Sequence, residues 1–195
     1  TPLGDVGIPT TTMTLPAALR NSGYATHIAG KWHLGAPPEY RPLRFGFDTS
    51  YGYFRGQIDP YTHLYKTGER TWHRNDKLLD EPGHATELIA QEAIRVIHSA
   101  HDKPFFLYVP FSVPHYPLSE PDEWSEKLEG RISEHWRKLN AASVAHMDDA
   151  VGRIVSVLDQ TGLRENTLIV FASDNGGQKS WTSTFEEYGG RYEPH

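Results

Sequence analysis

The stretch that decides the fold is Leu168-Ile169-Val170-Phe171-Ala172-Ser173-Asp174-Asn175-Gly176-Gly177. A short apolar run, rich in branched and aromatic residues, ends abruptly in an acid, an amide and two glycines. Such a run is too short for an independent helix and predicts a buried β-strand with a sharp exit. Because ligands of open α/β sheets bind at the carboxyl ends of strands, we expect Asp174 and Asn175 to present oxygen atoms there.

The same arrangement occurs twice more along the chain. Residues 24–29 form an apolar run that enters Gly30-Lys31-Trp32-His33-Leu34-Gly35. Residues 105–109 form another, which enters a loop that contains Pro114-His115-Tyr116-Pro117. If the three strands are parallel neighbours, Lys31, His33 and His115 share one rim with the acid and amide of the first stretch.

Helical patterns alternate with these predicted strands. Apolar residues recur at helical spacing over residues 85–99 and from about 133 to 161, and a shorter helix is predicted over 15–21. The alternation favours an α/β fold with a mostly parallel central sheet flanked by helices, incomplete at both ends. We expect residues 1–195 to form a single partial domain with a loop-rich insertion at about 36–83.

Composition narrows the function classes. The 195 residues carry a formal charge of −6 without a basic stripe, so we do not expect a nucleic-acid partner. No apolar run has the length of a membrane span. The chain contains no cysteine, which excludes a disulfide, a thiolate zinc site and a cysteine nucleophile within it.

The groups on the predicted rim suit the binding of an anion. Lys31 and His33 are two residues apart and point the same way if the segment is extended, so that together they could grip an oxyanion. The alternative is a surface lysine beside a histidine packed on Trp32. His115, fixed between two prolines, is a candidate general acid, although it could also be a loop histidine with no role.

A carboxylate and an amide oxygen suit a hard cation such as calcium. The alternative for Asp174 and Asn175 is that they simply begin a turn, and two residues cannot fill the six to eight oxygen positions of calcium. His146 with Asp148 and Asp149 resembles a metal cluster, but residues so spaced on a helix point in different directions. We therefore expect a solvated or packed face there.

Three stretches together resemble the sulfatase family of the alkaline-phosphatase-like superfamily. Gly30-Lys31-Trp32-His33-Leu34-Gly35 is similar to the second sulfatase signature, Val113-Pro114-His115-Tyr116-Pro117 to the histidine loop of the family, and Ser173-Asp174-Asn175-Gly176-Gly177-Gln178 to its metal-binding loop. The arylsulfatase and N-acetylgalactosamine-sulfatase branches are the most similar.

The resemblance implies calcium-dependent hydrolysis of a small-molecule or glycan sulfate ester. By position, Asp174 and Asn175 would bind one Ca²⁺, Lys31 and His33 would bind the sulfate and stabilise the nucleophile region, and His115 would contact the sulfate and protonate the leaving oxygen. Family habit implies a periplasmic or extracellular protein, or a lysosomal one in a eukaryote.

The chain also departs from the family pattern. It holds no C/S-x-P-x-R motif, whose first residue becomes the formylglycine nucleophile, and no upstream aspartate pair. We expect the formylglycine upstream of Thr1 in a longer parent and an inactive isolated fragment. The alternatives are a phosphate or phosphonate ester hydrolase of the same superfamily and a non-catalytic module that binds sulfated glycans.

Overall fold

The computed structural model describes residues 7–99 and 102–176. Its helices and strands alternate much as the sequence predicts, with bounds that match the helical patterns closely. In chain order the elements are α1 (Leu15–Asn21), β1 (Ala25–Lys31), β2 (Thr49–Tyr53), β3 (Trp72–Arg74), β4 (Lys77–Leu78), α2 (Ala85–Ser99), β5 (Phe105–Tyr108), α3 (Asp122–Glu126) and α4 (His135–Gln160).

A five-stranded mixed sheet forms the centre of the fold, in the order β4-β3-β2-β1-β5. β1 pairs in parallel with both β2 and β5, which confirms that the strands leading to the two histidine-bearing segments are parallel neighbours. β3 and β4 add an antiparallel hairpin at the β2 edge. Its turn is made by Asn75 and Asp76, both at positive φ, as a two-residue hairpin requires.

The prediction of a buried strand at 168–171 is wrong. These residues belong to no strand, and Leu168, Val170 and Phe171 are 88%, 78% and 75% exposed. A β-strand needs a hydrogen-bonding neighbour, and no strand of the described ranges pairs with this segment. The segment instead lines the same cavity as β5, the outermost strand on its side of the sheet.

The segment from 36 to 83, predicted as a loop-rich insertion, also contributes strands to the sheet. It contains β2, β3 and β4, and its two 3₁₀ turns, Pro38–Tyr40 and Pro42–Phe45, precede β2. Its aromatic side chains supply much of the core on both faces of the sheet. This segment therefore completes the sheet as well as reaching the rim.

Helix α2 packs on the sheet and also on α4. Ile89 and Ala93 are fully buried, as the helical pattern predicts. Glu92, which the pattern places away from the apolar face, is buried as well, because Arg74 and Arg95 hold its carboxylate at 2.8 and 2.5 Å. Two guanidinium groups thus compensate the charge that this helix buries.

Candidate active site

The carboxyl end of β1 positions Lys31. The Lys31 N–H donates to the Pro110 carbonyl at 2.8 Å, which joins β1 to the chain that leaves β5. Gly30 makes this approach possible, since a Cβ at that position would lie 2.0 Å from the Pro110 oxygen. The last strand residue of β1 therefore carries an ammonium group at the junction of two parallel strands.

His33 lies beyond the end of β1 and does not continue the strand. Its φ of 55° is left-handed, a conformation that is costly for a residue with a Cβ and that often marks a functional position. The expectation that Lys31 and His33 point together because the segment is extended is therefore wrong, although both side chains line one cavity. The His33 ring lies against Gly56, where a Cβ would be 2.5 Å from Nε2.

His115 lies in the loop that follows β5. Its Nδ1 lies 2.7 Å from the Tyr116 carbonyl, which can only accept, so Nδ1 carries the proton and Nε2 is the atom that can exchange one. The ring stacks on Tyr116, with 4.8 Å between the centroids. A histidine held in one tautomer at the end of a strand has the form that a general acid–base needs.

Asp174 and Asn175 are exposed at the end of the segment that includes residues 168–171. The Ser173 hydroxyl donates to the Asn175 carbonyl at 2.6 Å, and Asn175 Nδ2 donates to the Gly176 carbonyl at 2.8 Å. The amide nitrogen is thereby engaged, which keeps the side-chain oxygen as the group available to a cation. Within the described ranges, Asp174 belongs to no group of three or more His, Cys, Asp or Glu side chains that could hold a metal ion. Asp174 and Asn175 therefore offer only part of a cation site.

These five residues line one cavity, although the rim prediction assumed three parallel strands and the segment at 168–171 forms none. Lys31, His33, His115, Asp174 and Asn175 all line a space of about 1860 Å³. Their charges also affect one another. The pKa of His33 is lowered by partial desolvation and by the charges of Lys31 and His115. Desolvation also lowers the pKa of Lys31, although the carboxylate of Asp174 opposes this shift.

The pKa of His115 is lowered as well. Partial desolvation and Lys31 outweigh the hydrogen bond to Tyr116 and the carboxylate of Asp174, both of which raise it. The cluster brings together one ammonium and two imidazoles, and Asp174 opposes the lowering of the pKa of Lys31 and His115; this balance favours the arrival of an anion. A bound oxyanion would in turn favour protonation of the two rings.

Only some aromatic residues of the 36–83 segment reach the cavity. Tyr51, Tyr53, Phe54 and Trp72 are buried in the core, which settles their role as packing. The rings that line the cavity are Tyr61, which is 45% exposed, and Tyr65, which lies under the guanidinium of Arg55 at 5.6 Å. The sequence alone could not separate these two groups, because burial depends on pairing across the sheet.

Fold and site together define an α/β protein that collects cationic side chains at the carboxyl ends of parallel strands. Beside them lies an oxygen pair suited to a hard cation. This is the class of open α/β proteins, whose ligands bind at the carboxyl edge of the sheet. The comparisons with known proteins identify the family within that class.

The family model described as Sulfatase matches residues 1–192, and the chain belongs to the sulfatase family. It is 33% identical over 184 residues to N-acetylgalactosamine-6-sulfatase of Rattus norvegicus, covering 87% of this chain and 34% of that protein. It is 32% identical to Arylsulfatase J of Mus musculus, covering 88% and 30%. The chain thus spans about a third of the length of these relatives.

Solved structures share the fold of this chain. The crystal structure of Ps i-CgsB in complex with k-i-k-neocarrahexaose is 32% identical, with a TM-score of 0.83, and the match covers 90% of this chain and 43% of that one. The PsFucS1 sulfatase from Pseudoalteromonas sp. is 21% identical with a TM-score of 0.64, covering 84% and 38%, and supports the fold alone. The α/β fold predicted from the sequence, of the alkaline-phosphatase-like type, is confirmed.

Proposed function

We propose that the protein to which this chain belongs hydrolyses sulfate esters, and that the chain supplies the residues that bind the sulfate and protonate the leaving group. The observation that carries the proposal is the convergence of Lys31, His33 and His115 on one cavity beside Asp174. Membership of the sulfatase family gives that oxyanion site its reaction class.

Each side chain has a role that follows from its position. Lys31 offers a compact positive charge at the end of β1, and His33 offers a ring donor, so both would hold sulfate oxygens. His115 keeps Nδ1 on the Tyr116 carbonyl and would present Nε2 to the bridging oxygen. Protonation there lets the alcohol leave neutral, which matters most when the alcohol is a poor leaving group.

A cation fits part of the site. Asp174 and Asn175 supply a carboxylate and an amide oxygen, the donor types that calcium prefers, and we propose that they hold one Ca²⁺ together with groups from outside residues 1–195. Bound calcium supplies positive charge that stabilises the transferred sulfate group. We likewise propose a formylglycine nucleophile from outside these residues, so that residues 1–195 alone release no sulfate.

A sulfated glycan is the substrate that the cavity suits. Tyr61 and Tyr65 on the cavity wall offer ring faces to a sugar, and Lys66 lies near Tyr65, where it offers a positive charge to an anionic group. The names of two similar proteins, an N-acetylgalactosamine-6-sulfatase and a protein in complex with k-i-k-neocarrahexaose, agree with this choice.

We also propose a location for the protein. Family habit supports a periplasmic, extracellular or lysosomal location, where sulfated glycans occur. None of the helices in the described ranges combines the length and apolar character that crossing a membrane would require.

The test uses aryl sulfates of differing leaving-group quality with the full-length protein. His115→Ala should lower kcat by about 10²- to 10⁴-fold for an unactivated aryl sulfate and far less for an activated one, because only the former needs the proton. His98→Ala, which alters an exposed histidine on α2, is the matched control. Equal losses on both substrates would remove the acid role, and a wild-type protein that cleaves aryl phosphates but not aryl sulfates would refute the proposed reaction.

A further inference from the structure

A second cluster of titratable side chains lies outside the proposed active site. His84 precedes α2, Glu120 lies in the loop between β5 and α3, and His146 is on α4; their ligand-type atoms lie within 4.8 Å of one another. The three side chains are only 3%, 1% and 1% exposed. The sequence pattern assigned no function to either histidine, and the proposed reaction uses none of the three.

The hydrogen bonds favour protons over a metal ion as the link between these groups. The Thr86 N–H donates to His84 Nδ1 at 3.2 Å, so that nitrogen holds the lone pair and Nε2 carries the proton. Nε2 lies 3.5 Å from the Glu120 carboxylate and has no hydrogen-bond partner among the described residues. A metal bound at Nε2 would leave neither ring nitrogen with a proton, because Nδ1 already accepts from Thr86.

His146 is protonated for a similar reason. Its Nδ1 lies 2.5 Å from Glu120 Oε2, and its Nε2 lies 2.8 Å from Glu87 Oε1. Carboxylates only accept, so both ring nitrogens donate and the ring is an imidazolium. Trp124 stacks on it with 4.9 Å between the centroids, a contact that suits a cation. Arg153 holds Glu87 from the far side at 2.6 Å.

The cluster joins the loop of His115 to two helices. Glu120 lies five residues after His115 in the same loop. Its carboxylate binds His146 and so attaches that end of the loop to α4. The His115 ring bonds to the Tyr116 carbonyl and its N–H donates to the Ser112 carbonyl, both within the same loop. On either side of His115, the buried Val113 and the bond from Glu120 to His146 attach the loop to the rest of the fold.

We propose that the buried Glu120–His146 pair is a positioning latch, which holds the loop so that His115 Nε2 is presented to the substrate. The proposal rests on the proposed function, because it assigns the latch to the same general acid. His146 and Glu120 contact no substrate and act through His115. Glu87 and Arg153 orient the imidazolium from the other side.

The test compares His146→Gln, His115→Ala and the double variant in the full-length protein. His146→Gln should lower kcat by about 10- to 100-fold for an unactivated aryl sulfate and by less than about 3-fold for an activated one, since misplacement of a catalytic group by 1 Å can cost this much. In the double variant the second substitution should add nothing. His98→Gln on α2 should match the wild type.

A merely structural role gives a different pattern. Losses that are equal on both substrates and additive with His115→Ala would refute the latch. Where His146→Gln does not fold, Glu120→Ala/His146→Ala, which leaves neither charge without its partner, replaces it with the same expected pattern.

An NMR measurement keeps the latch testable apart from the reaction. The ring signals and pKa of His115 should shift in His146→Gln and remain unchanged in His98→Gln, whether or not sulfate is released. If the His115 shift occurs while the wild type cleaves no sulfate ester, the proposed function fails and the coupling stands. Unmoved His115 signals, or binding of Zn²⁺ to wild type but not to His84→Gln, would overturn the latch.

Discussion

Gly56 is the residue at which the geometry of His33 can be tested most directly. A Cβ on residue 56 would lie 2.5 Å from His33 Nε2 and 2.6 Å from Cε1. Ordinary contact begins at 3.4 Å, so the ring must move by about 0.9 Å in Gly56→Ala. The φ of Gly56 is not left-handed, so alanine fits the backbone and the strain falls on the imidazole.

The expected effect is on activity more than on stability. If His33 binds sulfate as proposed, displacement of its ring by nearly 1 Å should lower kcat/KM by about 100-fold, or roughly 2.7 kcal/mol of transition-state stabilisation. His33 is exposed, so its ring can swing away, and we expect the free energy of unfolding to change by less than about 1 kcal/mol. Sulfate release from an aryl sulfate by the full-length protein and urea denaturation measure the two quantities.

Gly152→Ala is the control. Gly152 lies within α4 with open space around its Cβ position, so alanine should keep kcat/KM and stabilise the helix by about 0.5–1 kcal/mol. A folded Gly56→Ala variant with wild-type kcat/KM would refute the reasoning, because His33 would then tolerate displacement without loss of sulfate binding.

Three further predictions concern stability and metal binding. Burial alone would lower the pKa of His146, but its bonds to the carboxylates of Glu120 and Glu87 raise it. The protonated His146 therefore stabilises the folded state fully below about pH 6.5, and this contribution is lost as the pH rises through the raised pKa. The unfolding free energy of wild type relative to His146→Gln should accordingly shrink with rising pH, and a constant difference would contradict a charged ring. In the 195-residue chain, Phe171→Ala should cost less than about 1 kcal/mol in urea denaturation while Ile89→Ala costs about 2–5; equal costs would show that 168–171 is packed. Asp174→Asn should weaken calcium binding in calorimetry of the full-length protein, and unchanged affinity would remove that residue from the metal site.

The elements that the sequence predicts well are those whose pattern is local. The apolar face of α2 repeats at helical spacing, and the helix observed is Ala85–Ser99, the range predicted. The short helix predicted over 15–21 is likewise observed, and Thr14 caps it with a hydroxyl that accepts from the Ala17 N–H at 3.3 Å. Such features depend on neighbours within one or two turns.

The strands that the sequence missed depend on distant partners. β2 contains Gly52, which ordinarily weakens a strand, yet Gly52 pairs with Gly30 of β1 so closely that a Cβ on Gly52 would lie 2.2 Å from the Gly30 carbonyl oxygen. Conversely, the apolar run at 168–171 has the composition of a strand, but no described strand pairs with it. A strand is a property of two segments, and only one of them is visible in a local pattern.

The contacts of the Glu120–His146 latch could not be predicted from the sequence, because they also depend on partners that are distant along the chain. His146 meets Glu120 across 26 residues and Glu87 across 59. Its neighbours Asp148 and Asp149, which draw attention in the sequence, face elsewhere on the helix. The expectation of a packed face at His146 is confirmed by its burial, but the carboxylates that give the packing its charge come from other elements.

The rim, in contrast, was predictable because topology converts order along the chain into proximity in space. Two parallel neighbours, β1 and β5, bring Lys31 and His115 to one edge whatever their side chains do. Partial burial lowers the pKa of Lys31, and burial together with the charge of Lys31 lowers the pKa of His115, while Asp174 opposes the lowering of both. An ammonium group and an imidazole that are partly desolvated and already in place are preorganised for an anion. A bound sulfate would favour the charged forms that burial disfavours, so its binding should raise both pKa values.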